Sequence, residues 1–177
     1  MIVSFKMNFQ FYVEKLLNSE EFKKFKQENK DSFPASAFFI IDKQGSDNKQ
    51  HFDFFVPSKN KMFSFKVEEN CKIVPVEMVD SSTIKKENAI EMNHNFDFND
   101  VEQKILNEMQ IRKINNTIQK LLLSLQRKEG KDFILVTVFI SNMGLLKAII
   151  EVENLRVIEF EKKSFWDFLK IKRNSGR

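Results

Sequence analysis

The first third of the chain places apolar residues at intervals of three and four, which is typical of an amphipathic helix. This pattern spans residues 8–29, and its apolar members are Phe9, Tyr12, Val13, Leu16, Leu17, Phe22 and Phe25. Ser19 lies where the pattern is interrupted. It can either cap a second helix or face water within one longer helix.

Three runs with strand character follow, at residues 35–42, 51–56 and 62–67. In the second run Phe52, Phe54 and Val56 take one face, and His51, Asp53 and Phe55 take the other. Strict alternation predicts a strand with one buried face and one wetter face. The stretch that follows, up to Phe98, is more polar and less regular. Within it Pro75 interrupts an apolar run, and proline in a strand is confined mainly to sheet edges. We therefore expect a connector that contains one edge strand.

A second helical pattern is predicted over residues 99–127. Asn99 and Glu102 form a plausible capping box at its start. Val101, Ile105 and Met109 lie on one helical face, whereas the next apolar stripe points to a different face. That stripe comprises Ile111, Ile114, Ile118, Leu121, Leu122 and Leu125. Either the helix breaks near Gln110, or one long helix packs its two halves on different neighbours. The second alternative is preferred because no Gly or Pro lies between the stripes.

After Gly130 three more strands are predicted, at residues 133–140, 145–152 and 155–160. Short polar links at 141–144 and 153–154 suit tight turns between antiparallel strands. Residues 133–140 are apolar on both faces apart from Thr137. This run is therefore predicted to be a central strand covered on both sides, with the first half of the chain as its second cover.

A helix followed by three strands thus occurs twice, which predicts an internal duplication. The predicted fold class is α+β, with two helix-plus-antiparallel-meander modules whose helices pack on antiparallel sheets. The modules span residues 1–70 and 99–161, and residues 71–98 connect them. Residues 162–177 are predicted to form a short basic and aromatic C-terminal helix.

This layout resembles tandem PepSY-like domains of the cystatin-like type, such as those of small uncharacterised archaeal proteins. Residues 100–170 carry the resemblance, with Leu125 and Gln126 at the end of the predicted helix, and residues 8–67 share the pattern. The resemblance implies the same helix-and-meander fold and a non-catalytic binding or regulatory role. Many PepSY-like domains are extracytoplasmic and associated with peptidases. Residues 1–11 lack the continuous apolar core of an export signal, which departs from that pattern.

Charge and cysteine content bear on the partners and the cellular location of the protein. The net charge is +4, but residues 162–177 hold six Lys or Arg against one Asp, so the rest of the chain is close to neutral. A nucleic-acid-binding face across the body is therefore not expected. The single cysteine, Cys71, excludes an intramolecular disulfide, and no run is long and apolar enough for a membrane span. We expect a cytoplasmic protein.

Candidate chemistry is sparse, and the sequence predicts no catalytic, cofactor-binding or metal-binding residues. His51 and Asp53 lie on the same side of a strand, a spacing that can hold a metal, but no further His or Cys cluster completes a site. Cys71 has no catalytic signature beside it. The four glycines are not clustered, which argues against a phosphate-binding loop. We therefore expect a protein that is not an enzyme and has no cofactor.

The C-terminal segment is the one candidate docking site. Ser164 can cap a short helix, and aromatic and basic residues follow it together. The candidate docking residues are Lys162, Lys163, Phe165, Trp166, Phe168, Leu169, Lys170, Lys172 and Arg173. Such a segment suits a protein or peptide partner, or a weak contact with a membrane surface or another anionic polymer. It can also fold back to cover the sheet, and a homo-oligomer is a further alternative.

Overall fold

The computed structural model describes residues 8–77 and 81–164, which form three α-helices and eight β-strands. The helices are α1 (Phe9–Asn18), α2 (Glu20–Glu28) and α3 (Phe98–Ile111). The strands are β1 (Phe33–Asp42), β2 (Lys49–Val56), β3 (Lys61–Val67), β4 (Cys71–Val76), β5 (Ile118–Lys128), β6 (Lys131–Ile140), β7 (Gly144–Glu151) and β8 (Arg156–Ser164).

All eight strands belong to one sheet, in the order β4-β3-β2-β1-β5-β6-β7-β8, and every neighbouring pair is antiparallel. The prediction of two modules with separate three-stranded sheets is therefore wrong. Each half supplies four strands, and β1 pairs with β5, with Phe39 opposite Leu123. The join has a clear physical reason, because it satisfies backbone groups that two apolar edge strands would otherwise leave unpaired.

The predicted helix over 99–127 is also wrong in its second half. Helix α3 ends at Ile111, and the chain turns at Lys113, whose φ is +54°. Residues Leu121, Leu123 and Leu125 of β5 are buried at a spacing of two, as in a strand. A register shift between Ile118 and Lys120 changes this spacing and mimics a helical interval of three. Of the two alternatives, the break near Gln110 is the one the structure contains.

Two helix N-termini bear on the sequence predictions. The start of α3 differs from the prediction, and the start of α2 decides the role of Ser19. The N-cap of α3 is Asp97, whose side chain accepts from the Asn99 backbone N–H, so the predicted cap at Asn99 is wrong. Between α1 and α2, the Ser19 hydroxyl accepts from the Phe22 N–H at 3.2 Å. Ser19 therefore caps a second helix, and residues 8–29 do not form one continuous helix.

The helices pack on one face of the sheet, here called the inner face, through a core rich in phenylalanine. Phe9 of α1 contacts the rings of Phe39 and Phe52. Phe25 of α2 contacts Phe65 in the same way, and Phe98 of α3 lies 4.7 Å from the Phe39 ring centre. The opposite side is the outer face, to which alternate strand residues point.

Strand β6 lies inside the sheet, but its outer side is not covered by the first half of the chain, as the sequence had predicted. The first four strands extend the sheet sideways from β5 and do not stack on it. Leu135 and Phe139 on the outer side of β6 consequently remain 37% and 42% exposed.

The connector between the halves starts at the sheet edge, which β4 occupies with Pro75 opposite Phe63. It then passes around one end of the sheet to α3, and the Ile90 N–H donates to the Pro34 carbonyl on the way. Among residues 8–77 and 81–164, no helix is long and apolar enough to cross a membrane.

Candidate functional site

The predicted docking residues are only partly within the described chain. Lys162 and Lys163 belong to β8, opposite Leu146 and Leu145, so they continue a strand and do not begin the predicted helix. Lys163 Nζ lies 2.9 Å from a carboxylate oxygen of Glu161. The other candidates lie outside the described residues, and their role stays a prediction. They are Phe165, Trp166, Phe168, Leu169, Lys170, Lys172 and Arg173.

An apolar cleft opens on the outer face next to this strand end, and we call it the outer cleft. Its volume is about 560 Å³, and its lining is mainly apolar. The lining residues are Gln119, Thr137, Phe139, Ile140, Met143, Gly144, Leu145 and Lys147. Met143 is 61% exposed at its rim. A concave, mostly apolar surface with a few polar groups is the usual form of a binding site.

Local sequence at the β6–β7 turn shapes this cleft. Residues 141–143 form the loop between the paired Ile140 and Gly144, and within it Asn142 and Met143 both have positive φ, at +62° and +57°. Asn adopts this conformation readily, whereas Met does so at a cost. At Gly144 an added Cβ would lie 2.6 Å from a side-chain carbon of Ile140. Glycine therefore allows the buried Ile140 side chain to reach its place beneath the turn.

A second cleft, here called the polar cleft, lies at the far end of β6. It has a volume of about 460 Å³ and is formed by the connector, the β5–β6 turn and the end of β7. Asp132 at its base is almost fully buried, with a side chain 2% exposed. Its carboxylate accepts from the Glu91 N–H at 2.8 Å and lies 2.6 Å from His94 Nε2. Since a carboxylate only accepts, His94 Nε2 carries the proton in this pair.

Further cations complete the polar cleft. Arg127 lies 3.3 Å from Asp132 and 3.0 Å from Glu91. On the β7 side, buried Glu151 accepts from Lys131 at 2.7 Å and from Arg156 at 2.9 Å. These two hydrogen bonds lower the pKa of Glu151, and the same contact raises the pKa of Lys131. Both buried carboxylates thus have internal partners, and their clearest role is to hold the connector against the β5–β6 turn.

The remaining candidates from the sequence are not brought together. His51 Nε2 lies 3.2 Å from Glu68, whereas Asp53 accepts from the Ser36 hydroxyl at 2.9 Å. Burial raises the pKa of the Cys71 thiol, which disfavours the reactive thiolate. In residues 8–77 and 81–164, no group of three or more His, Cys, Asp or Glu side chains could hold a metal ion.

Sequence reasoning missed both clefts, for different reasons. The outer cleft had a local signal, since residues 133–140 are apolar on both faces, but the second face was assigned to the other half of the chain. The polar cleft had none, because His94 and Asp132 are 38 residues apart and pair only in the folded chain.

Comparison with known proteins supports the fold but identifies neither a family nor a function. No protein-family model matches this chain, and no curated protein matches it either. A solved structure of a putative lipoprotein from Clostridium difficile 630 is similar, with a TM-score of 0.51. The two are 14% identical, and the match covers 81% of this chain and 91% of the other. Likeness at this identity shows a shared fold alone, so the resemblance to PepSY-like domains and the internal duplication stay predictions.

Proposed function

We propose that this protein is a non-catalytic module that binds an apolar segment of a protein or peptide in the outer cleft. One observation carries the proposal: Phe139 and Met143 are exposed on a sheet face whose opposite side holds all three described helices. Contiguous apolar surface that stays exposed in a folded domain is often an interaction site.

The rigidity of the surroundings supports this proposal. Phe139 lies on β6, which is hydrogen-bonded to β5 on one side and to β7 on the other. Leu145 on β7 is in turn flanked by β8. A cleft built on paired strands is formed before a partner arrives, so binding loses little conformational entropy. Aromatic side chains in such a setting are frequent anchors of binding energy.

The internal partners of the ionisable groups support the non-catalytic part of the proposal. Asp132 and Glu151 are the buried carboxylates at the polar cleft, and each is already held by cations of the same chain. A raised thiol pKa makes Cys71 a poor nucleophile.

Selection from a displayed library of random short peptides tests this function, with the full chain as bait. We expect enrichment of peptides with aromatic or aliphatic residues. The Phe139→Asp variant should lose at least about tenfold in affinity for a selected peptide, because a central aromatic anchor is replaced by a charge. Phe11→Asp is the matched control, since Phe11 is 53% exposed on α1, away from the cleft. Peptides that bind Phe139→Asp as tightly as the unmodified chain would contradict the proposal.

A second candidate function rests on the concentration of charge at the C-terminus. Residues 162–177 hold six basic residues against one acidic residue, a composition that suits an anionic membrane surface or polymer. Sedimentation with phosphatidylserine vesicles tests it. Replacing Lys170, Lys172 and Arg173 by Gln should abolish binding, and unchanged binding eliminates this mechanism.

The cytoplasm stays our proposal for the location of the protein, and the free thiol of Cys71 supports it. The description of the structural neighbour as a putative lipoprotein favours a location at a membrane instead for that protein. Fractionation of cells that express the full chain distinguishes the two, since a membrane-anchored protein sediments with the membranes.

A further inference from the structure

We propose that the outer cleft is covered by a segment of the same chain, residues 165–171, and that a peptide partner must displace it. The regulatory half of this inference rests on the proposed function above. The covering contact itself does not, since it follows from the place where the described chain ends and from the chemistry of the residues beyond.

The end of β8 lies next to two residues that line the outer cleft. Ser164, the last described residue, is paired with Gly144, and Lys163 is paired with Leu145. Gly144 and Leu145 both line the cleft. Residue 165 therefore starts beside it, and at about 3.3 Å per residue a few residues suffice to cross a cleft of this size.

The next residues in the sequence are mainly apolar, as the lining of the cleft is. Phe165, Trp166, Phe168 and Leu169 place four large apolar side chains within five positions. The cleft offers Phe139, Leu145 and the thioether of Met143, and methionine sulfur packs favourably on aromatic rings. Its volume of about 560 Å³ lies within the range of roughly 300–1,000 Å³ that ligand sites occupy.

The covalent link makes this contact effective even if it is weak. A segment joined to the cleft by a short tether has an effective concentration in the millimolar range. A peptide partner in solution at lower concentration must compete with it. Occupancy by residues 165–171 should therefore weaken peptide binding, and its release should restore it.

Trp166 reports on the contact directly, because it is the one tryptophan of the chain. We expect its fluorescence in the full chain to be blue-shifted and protected from acrylamide, relative to a synthetic peptide of residues 162–177. Phe139→Asp should move both properties toward those of the peptide, whereas Phe11→Asp should leave them unchanged. Emission equal to that of the peptide overturns the proposal. So does a shielded Trp166 that is insensitive to Phe139→Asp, or one that becomes shielded only when phosphatidylserine vesicles are added.

A second full-chain variant separates this inference from the proposed function. Replacing Phe165, Trp166 and Phe168 by Ser should increase affinity for a selected peptide at least about tenfold. A shielded, Phe139-dependent Trp166 in a chain that binds no peptide, with or without the serines, would leave the cover standing and reject the proposed function. Equal peptide binding by the unmodified chain and the serine variant, with an exposed Trp166, would reject the cover and leave the proposed function standing.

Discussion

Asp132 shows how one buried carboxylate can fasten a connector to a sheet. Its two oxygens take hydrogen bonds from the Glu91 backbone, His94 and Arg127, which come from two different parts of the chain. An ionised group without such partners would be very costly to bury, whereas three donors offset that cost. The arrangement accounts for the path of an otherwise irregular, polar segment between β4 and α3.

Replacing Asp132 by Asn should lower the free energy of unfolding by about 1.5–3 kcal/mol, the usual worth of a hydrogen bond to a charged group. The loss arises because the partly buried Arg127 and His94 keep their positions but lose the carboxylate charge that both of them contact. Urea unfolding measures the effect. Glu153→Gln is the control, because Glu153 lines the same cleft but is exposed, and it should change stability by less than about 0.5 kcal/mol. Equal stability of the two variants would show that Asp132 does not hold the connector.

Strand β5 shows why a local sequence pattern can be mistaken for a helix. Three consecutive leucines at 121–123 fit a helical stripe and a strand equally well, and the register shift near Ile118 adds a helix-like spacing. Strand pairing determines that this segment is a strand, because β5 is hydrogen-bonded to β1 on one side and to β6 on the other. Tertiary pairing of this kind overrides a local pattern, and no window of sequence reveals it.

Other elements could be predicted because their signals are local. The alternation of phenylalanine in β2 and β3 fixes one buried face within a few residues, and both strands are confirmed. Short links likewise separate β6, β7 and β8, although the second link spans residues 152–155 and is longer than the predicted 153–154. The β1–β5 join could not be predicted, since it pairs residues that are distant in the sequence, such as Phe39 and Leu123. The outer cleft depends on that join, because the join places the first half of the chain beside β5 and not over the outer side of β6.

A pair of neighbouring leucines distinguishes strand from helix in β5. Leu121→Ala should cost about 3 kcal/mol of stability, since Leu121 is fully buried on the inner face and its truncation leaves a cavity. Leu122 points to the outer face opposite Ile40 and is half-buried, so Leu122→Ala should cost less than half as much. The comparison uses thermal or urea unfolding of the two variants. Similar losses would favour the helical stripe, in which both leucines face the core.

The molecule as a whole is a sheet with helices on one side and exposed apolar residues on the other. Its two outermost strands, β4 and β8, have different surroundings. β4 contains Pro75, which cannot donate to an added strand, whereas β8 ends at Ser164, opposite Gly144 of the outer cleft. The outer cleft therefore lies on the β5–β7 part of the outer face, whereas the helices pack with the inner face to form the core.

Methionine-methyl NMR of the full chain, titrated with a peptide selected from the library, distinguishes binding in the outer cleft from binding on the helical side of the sheet. Met143 lies at the rim of the outer cleft, and Met109 is a buried residue of α3, on the helical side of the sheet. Binding in the outer cleft predicts a saturable shift of the Met143 methyl resonance, with Met109 unchanged. A saturable shift of Met109 without any change at Met143 would contradict the account, because it would place the partner on the helical side of the sheet.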